Sequence, residues 1–352
     1  MSSYYFNTVR RSGSRWSTQH LKACHVIVNR DVNDCFPLLD NYELTIRETL
    51  KPGKENAQIA AFIEDLASDH QTMRQHALVR EPEVGATLAR FWVALRDVKR
   101  LEVNKEEPQD NQRTSGRVRL QTTHPGNIDS GCIATSSQDH ESSQGSSYTT
   151  ATDSVTSVQR PSAYLPVEAY TVELAFFAIT HILLYTQDPG LDTPVEIRQP
   201  ERHFIQAKDK QITAIDNGGL TVISRAGART KNSVVLIEAK RRLDVCENTN
   251  LPFVSDERLG QMTCEAVAAL SSRQGDTARD DIFDISTVQH YMCLFHFIVT
   301  ADHLDDLKNG IVPRTAIKVT ATRWLDLERQ PDRKCIVKNV LQLAEYMRQM
   351  GR

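Results

Sequence analysis

The stretch from Asn104 to Arg160 is built of Ser, Thr, Gln, Asn and Gly, as in TSSQDHESSQGSSYTTATDSVTSVQ. It cannot bury enough apolar area to offset the entropy of ordering it, so it reads as a disordered linker. Three regions follow: 1–103, the linker 104–160, and 161–352. A length of 352 residues suits two or so domains.

The first region reads as mostly helical. In EVGATLARFWVALRDVKRLEV, the residues Val84, Leu88, Phe91, Leu95 and Val98 recur at spacings of four, three, four and three, one apolar stripe of a helix. A second amphipathic segment, ENAQIAAFIEDLASDHQTMRQHAL, offers Ile59, Phe62, Ile63 and Leu66, with a break expected near Glu81-Pro82. Such a helical hairpin either packs on the rest of the chain or serves self-association or a protein partner.

The third region mixes helices and strands. Val167 to Tyr185 reads as a helix burying Leu174, Phe177, Ile182 and Leu183. QITAID and LTVIS flank an Asn-Gly-Gly break, and SVVLIEAK follows the loop RAGARTKN. DERLGQMTCEAVAALSSR is a helix with Leu259, Met262, Val267 and Leu270 on its apolar side; VQHYMCLFHFIVT and TAIKVTATRWLDL read as strands, and DRKCIVKNVLQLAEYMRQM as a closing helix. This order predicts the α/β class, one mixed central sheet with helices on both faces.

Composition excludes several functions. Charged residues at 25% and a net charge of -3 give no global basic excess, so a nucleic-acid surface must be local. Seven cysteines, widely spaced and without a Cys-x-x-Cys pair, argue for reduced thiols and an intracellular setting, nuclear or cytoplasmic. The N-terminus lacks the apolar run of a secretory signal, and YTVELAFFAITHILLY, about 16 residues with Glu173 and His181 inside it, is expected to be too short and polar for a membrane span. No Gly-rich phosphate loop, nucleophile elbow or internal repeat occurs. His203, His290 and His296 lack Cys or Asp partners at metal-site spacing and read as structural.

The chemistry concentrates in SVVLIEAKRR. Strand alternation sets Val234, Leu236, Glu238 and Lys240 on one face and Val235, Ile237 and Ala239 on the other, so an acid and a base leave the strand end together. A terminal salt bridge is the plain alternative. If LTVIS and VVLIEAK pair across RAGARTKN, Asp216 falls near the register opposite Glu238, whereas Asp209 lies about 20 Å off. Two adjacent carboxylates call for a hard cation, and Mg²⁺ or Mn²⁺ held by Asp216 and Glu238 beside Lys240 would serve phosphodiester hydrolysis. Arg225, Arg229, Lys231 and Lys240 to Arg242 form a local basic patch that either contacts phosphates or is solvated.

These residues resemble the PD-(D/E)XK nuclease superfamily, most closely its divergent fungal members. The match is Asp216, then Glu238-Ala239-Lys240, with Glu173 or Glu168 as the helix glutamate, and it covers about Val167 to Arg352. Members of the lambda-exonuclease type also carry a Gln on the next helix followed by Tyr; Gln261 fits, but Glu265 stands where the Tyr would be, and Ile215 replaces the Pro. The resemblance implies a restriction-endonuclease-like fold and a metal-dependent nuclease acting on DNA, or RNA. Asp216, Glu238, Glu173 and the Ala239 carbonyl would then hold Mg²⁺ or Mn²⁺, Lys240 would serve the attacking water, and Gln261 would orient the lysine or a phosphate. The other function class is a catalytically inactive nuclease-like fold that binds nucleic acid or protein.

Overall fold

The computed structural model describes residues 12–29, 34–36, 39, 56–67, 70–103, 167–229, 234–240, 243–245, 252–273 and 280–350. The Ser/Thr/Gln-rich linker at 104–160 lies outside the described residues. Helices α1 (Thr18–Ala23), α2 (Ala57–Ile63), α3 (Gln75–Leu78) and α4 (Gly85–Val103) and the strand β1 (Ile27–Val28) precede it. After it come α5 (Val167–Thr186), β2 (Val195–Arg198), β3 (Arg202–Ala207), β4 (Lys210–Ile215), β5 (Gly219–Val222), β6 (Val235–Lys240), β7 (Asp244–Val245) and β8 (Pro252–Phe253). The chain continues through α6 (Asp256–Ser271), β9 (Asp281–Val288), β10 (Tyr291–Ile298), α7 (Ala301–Lys308), β11 (Lys318–Ala321), β12 (Leu325–Asp326) and α8 (Gln330–Met350).

The expected mixed α/β sheet is present. It has eight strands in the order β1-β11-β10-β9-β6-β5-β2, with β12 also paired to β10. The β6–β9 and β1–β11 pairs are parallel and the others antiparallel. Strand alternation splits the core in two. Val235, Ile237, Phe283 and Ile285 face a cluster with α2, α4, α5 and α8, while Leu236, Ile282, Val288 and Phe295 face α6 and the β3–β4 ribbon.

Several elements depart from the sequence reading. Among the described residues 56–67 and 70–78 there are two short helices instead of one; the first ends where Glu64 turns extended and the Arg333 guanidinium takes the Ile63 carbonyl (2.7 and 3.0 Å). QITAID does not join the main sheet; it pairs with the unforeseen β3 in a separate ribbon closed by the Lys208-Asp209 turn, with Lys208 at φ 55°. DIFDISTV, unassigned from sequence, is the central strand β9. The expected strand VQHYMCLFHFIVT includes the turn at Gln289 (φ 55°) and His290 that joins β9 to β10. Helix α7 was also unforeseen; Thr300 caps it, its hydroxyl accepting from the His303 N–H at 3.3 Å.

Helix α5 is longer than its apolar run. Its residues Glu168–Thr186 have a mean hydropathy of 1.3 and are long and apolar enough to cross a membrane. Leu174, Ala175, Ala178, Ile179 and Ile182 are nonetheless fully buried in the core. His181 ties this helix to the first region: Nδ1 lies 2.9 Å from the Thr87 hydroxyl and Nε2 2.9 Å from the Gln58 carbonyl. A carbonyl only accepts, so Nε2 carries the proton and Nδ1 accepts from Thr87. Burial holds the ring pKa below its ordinary value, which keeps it neutral for that role.

The boundary at 161 does not divide the packing. Ile59, Phe62, Leu88, Phe91 and Leu95, the apolar stripes of the N-terminal helices, share one cluster with Ile179, Val235 and Val340. Strand β1 is an edge of the main sheet, bonded to β11. Gly260 on α6 touches the chain at Trp16 and Ser17 so closely that a Cβ there would sit 2.9 Å from the Trp16 carbonyl carbon.

One consequence is testable by limited proteolysis. The linker, rich in Ser, Thr and Gln, is the expected first cut. The two pieces will then co-elute on gel filtration in buffer and separate only in denaturant, because they share one core. A 161–352 piece that elutes alone in buffer would refute the shared core.

Candidate functional site

The site is assembled on the α6-facing side of the sheet by three elements. Strand β6 supplies Glu238 and Lys240, and β9, its parallel neighbour, supplies Asp284 and Ser286. Helix α6 is the crossover that a parallel pair requires, and it lays Gln261 and Glu265 over them. Gln261 and Glu265 lie four residues apart, on one helix face.

Glu238 is 1% exposed. Its Oε1 accepts from Lys240 Nζ at 2.6 Å and from Gln261 Nε2 at 2.7 Å. Gln261 Nε2 also donates to Glu265 Oε1 at 2.8 Å, so one amide bridges two carboxylates. Glu265 and Asp284, each 1% exposed, are less well served: Glu265 Oε2, both Asp284 oxygens and the Ser286 hydroxyl lack a hydrogen-bond partner. Such buried orphans are rare, because each forfeits hydration without replacement.

Electrostatics follow from this crowding. Burial pushes the Glu238 carboxyl up to about 6, against the pull of Lys240, and Glu168 and Asp216 add to the rise. Burial, then the Glu238 charge, raises Glu265 and Asp284 well above the usual carboxylate range. For Lys240, burial opposes the charged form, but Glu238, Glu168 and Glu265 outweigh it and hold the pKa above its ordinary value. Lys240 therefore keeps its proton and serves as a positive charge and hydrogen-bond donor rather than as a base. Its side chain is 28% exposed, the most accessible part of the Glu238–Lys240 pair. Arg258, one turn before Gln261, is buried and ion-paired with Asp244 at 3.3 Å.

Asp216 is placed differently from the sequence expectation. The β5–β6 pairing holds, with Gly219 opposite Leu236 and Leu220 opposite Val235. Continued two residues, that register sets Asn217 opposite Glu238, and a one-residue offset reverses a strand side chain. Asn217 Oδ1 accepts the Ala239 N–H at 3.0 Å. The Asp216 carboxylate instead accepts from Arg198 Nη1 and Nη2 (3.1 and 2.6 Å), His203 Nε2 (2.8 Å) and the N–H groups of Glu201 and Gly218 (both 3.0 Å). Burial opposes its ionisation, but the His203 and Arg198 bonds outweigh it and lower the pKa.

Other expected residues also resolve. Glu173 is exposed on α5; Glu168, in the first turn of that helix, is the glutamate whose charge reaches Glu238 and Lys240. Ala239 lies between the site residues with its side chain buried. Of the basic patch, Arg225 and Arg229 are exposed and Arg225 pairs with Asp192. Lys231, Arg241 and Arg242 lie outside the described residues. Sequence reading missed Asp284, Ser286, Arg198 and the partner role of His203. The acid set between Phe283 and Ile285 in DIFDISTV was the signal for the first.

Among the described residues no three Asp, Glu, His or Cys side chains gather as a metal-binding group. The expected set of Asp216, Glu238 and Glu173 is therefore not assembled. The donor chemistry does suit a hard cation: oxygen atoms, buried and without partners, beside an ionisable glutamate. Mg²⁺ needs only one or two carboxylates, since it keeps several waters. In comparisons with known proteins, no family model and no curated protein matched this chain.

The Asp216 cluster yields a stability prediction. Its depressed pKa means that it stabilises the fold above the ordinary carboxylate value of 3.8 and that this contribution is lost as pH falls through the lowered one. Asp216→Asn leaves buried Arg198 with only the half-exposed Glu201 carboxylate, 3.6 Å away, and should cost up to about 3–5 kcal/mol at pH 7 in urea unfolding. The gap from wild type should narrow on acidification. An equal gap at neutral and strongly acidic pH would remove the ion pair as its cause.

Proposed function

We propose that the region from Val167 onward is a PD-(D/E)XK-nuclease-like domain, restriction-endonuclease-like in its mixed sheet, that hydrolyses phosphodiester bonds of DNA or RNA with Mg²⁺ or Mn²⁺. The observation that carries this reading is the convergence of Glu238, Lys240 and Gln261 on one buried sheet face, with unpartnered carboxylate oxygens beside them. The order of α5, β2, β5, β6 and α6 supports it too, with Glu-x-Lys on β6 and Gln261 on the helix that follows.

In this reading Glu238 would hold the cation. A bound divalent ion would lower the pKa of a water and neutralise charge on the phosphate. Gln261 orients the Glu238 carboxylate, and Lys240 favours its ionised form. The Lys240 ammonium, part-exposed and firmly protonated, would meet a phosphate oxygen and offset charge that grows during reaction. The second reading, a nuclease-like fold that binds nucleic acid or protein without cutting, is favoured by one observation: the Asp216 carboxylate is already committed to Arg198 and His203.

The test is cleavage of labelled linear and circular DNA and of RNA, with Mg²⁺ or Mn²⁺ and with EDTA. Lys240→Met should lower turnover by on the order of 10² or more, while circular dichroism shows the folded protein, since Glu238 is able to take up a proton. A Lys240→Met protein as active as wild type would sink the mechanism. Binding without cleavage by wild type would leave the second reading.

A further inference from the structure

The geometry points to Asp284, with the Ser286 hydroxyl, as the partner of Glu238 in a divalent-cation site, in place of Asp216. This rests on the reading of the Glu238–Lys240 centre as metal-dependent.

The two aspartates are opposites. Asp216 accepts five hydrogen bonds, three from charged or ionisable side chains, and has little left to offer a cation without dismantling Arg198 and His203. Asp284 accepts none, although both of its oxygens are buried. Its cross-strand neighbours are Leu236 on β6 and Phe295 on β10, so the flanking strands offer it no donor.

Position completes the argument. In the parallel β6–β9 pair, Leu236 lies beside Asp284 and Glu238 beside Ser286, so the alternation of the two strands turns all four side chains to the same face. Asp284 is thus the diagonal neighbour of Glu238 on a strand about 4.8 Å away. The Ser286 hydroxyl, fully buried, is an independent orphan directly beside Glu238. The Glu238 carboxylate, whose donors both sit on Oε1, with the Asp284 carboxylate and the Ser286 hydroxyl, which have none, forms an oxygen set for a hard cation that retains part of its water. Glu265 on α6 is held to Glu238 through its Oε1 and the Gln261 amide, its Oε2 has no partner, and the Glu238 and Asp284 charges reach it.

The test is Mn²⁺ binding, read by calorimetry and by the loss of the free-ion electron paramagnetic resonance signal, on full-length wild type, Glu238→Gln, Asp284→Asn, Ser286→Ala and Asp216→Asn. Each protein is first shown to be folded by circular dichroism. Glu238→Gln and Asp284→Asn should each weaken Mn²⁺ binding by at least about tenfold, and Ser286→Ala by less. Folded Asp216→Asn should bind close to wild type. If Asp284→Asn binds Mn²⁺ as wild type does while Glu238→Gln does not, the metal reading survives and the assignment of Asp284 falls. Should Asp284→Asn not fold, Ser286→Ala and Asp216→Asn decide: normal binding by the first with weakened binding by the second overturns the assignment. A wild-type protein that takes up no Mn²⁺ overturns both.

Discussion

The parallel pairing of β6 with β9 is the constraint on which the site depends. Two parallel strands cannot be joined by a tight turn, so the chain must cross over a face of the sheet, and α6 does so. The helix then brings Gln261 and Glu265 onto the face where β6 carries Glu238 and β9 carries Asp284. Antiparallel neighbours joined by a hairpin would have left that face without this cover, and its carboxylates hydrated. Their unusual ionisation follows from the crossover.

Two buried aspartates show how a protein treats the same side chain in opposite ways. Asp216 is compensated fully: guanidinium, imidazole and two backbone N–H groups replace the water it lost. Asp284 has no hydrogen-bond donor on either oxygen, and only the charge of Lys240 acts in its favour. The first arrangement serves folding, because it fixes β2, the β3–β4 ribbon and the entry to β5 around one anion. The second stores unfavourable electrostatics in a region that also holds Glu238 and Glu265, which a positive ion would relieve.

The N-terminal helices belong to the same physical unit as the sheet. Phe62 stacks on His181 of α5 and meets Phe91 at a tilt, and Arg333 of α8, fully buried, donates to the Ile63 carbonyl and to Asp65. An arginine buried with most of its donors on backbone carbonyls is specific in direction, so it fixes where α2 ends relative to α8. The apolar stripes that the sequence offered as a partner surface are consumed inside the chain.

The amphipathic stripe of α4, the apolar run of α5, the faces of β6 and the helix of Gln261 were legible in the sequence, because their periods of 3.6 and 2 are local properties of the chain. So was the convergence of Glu238 with Lys240, two residues apart on one strand. What the sequence could not determine was everything set by pairing between distant segments. The β5–β6 register placed Asn217 rather than Asp216 opposite Glu238, and one residue is enough to redirect a strand side chain. DIFDISTV reads as a strand only once it has β6 and β10 on either side. Whether an aspartate becomes an anchor, like Asp216, or an unsatisfied charge site, like Asp284, depends on which donors the folded chain brings to it, and those donors lie 2 to 18 residues from Asp216 and are absent around Asp284.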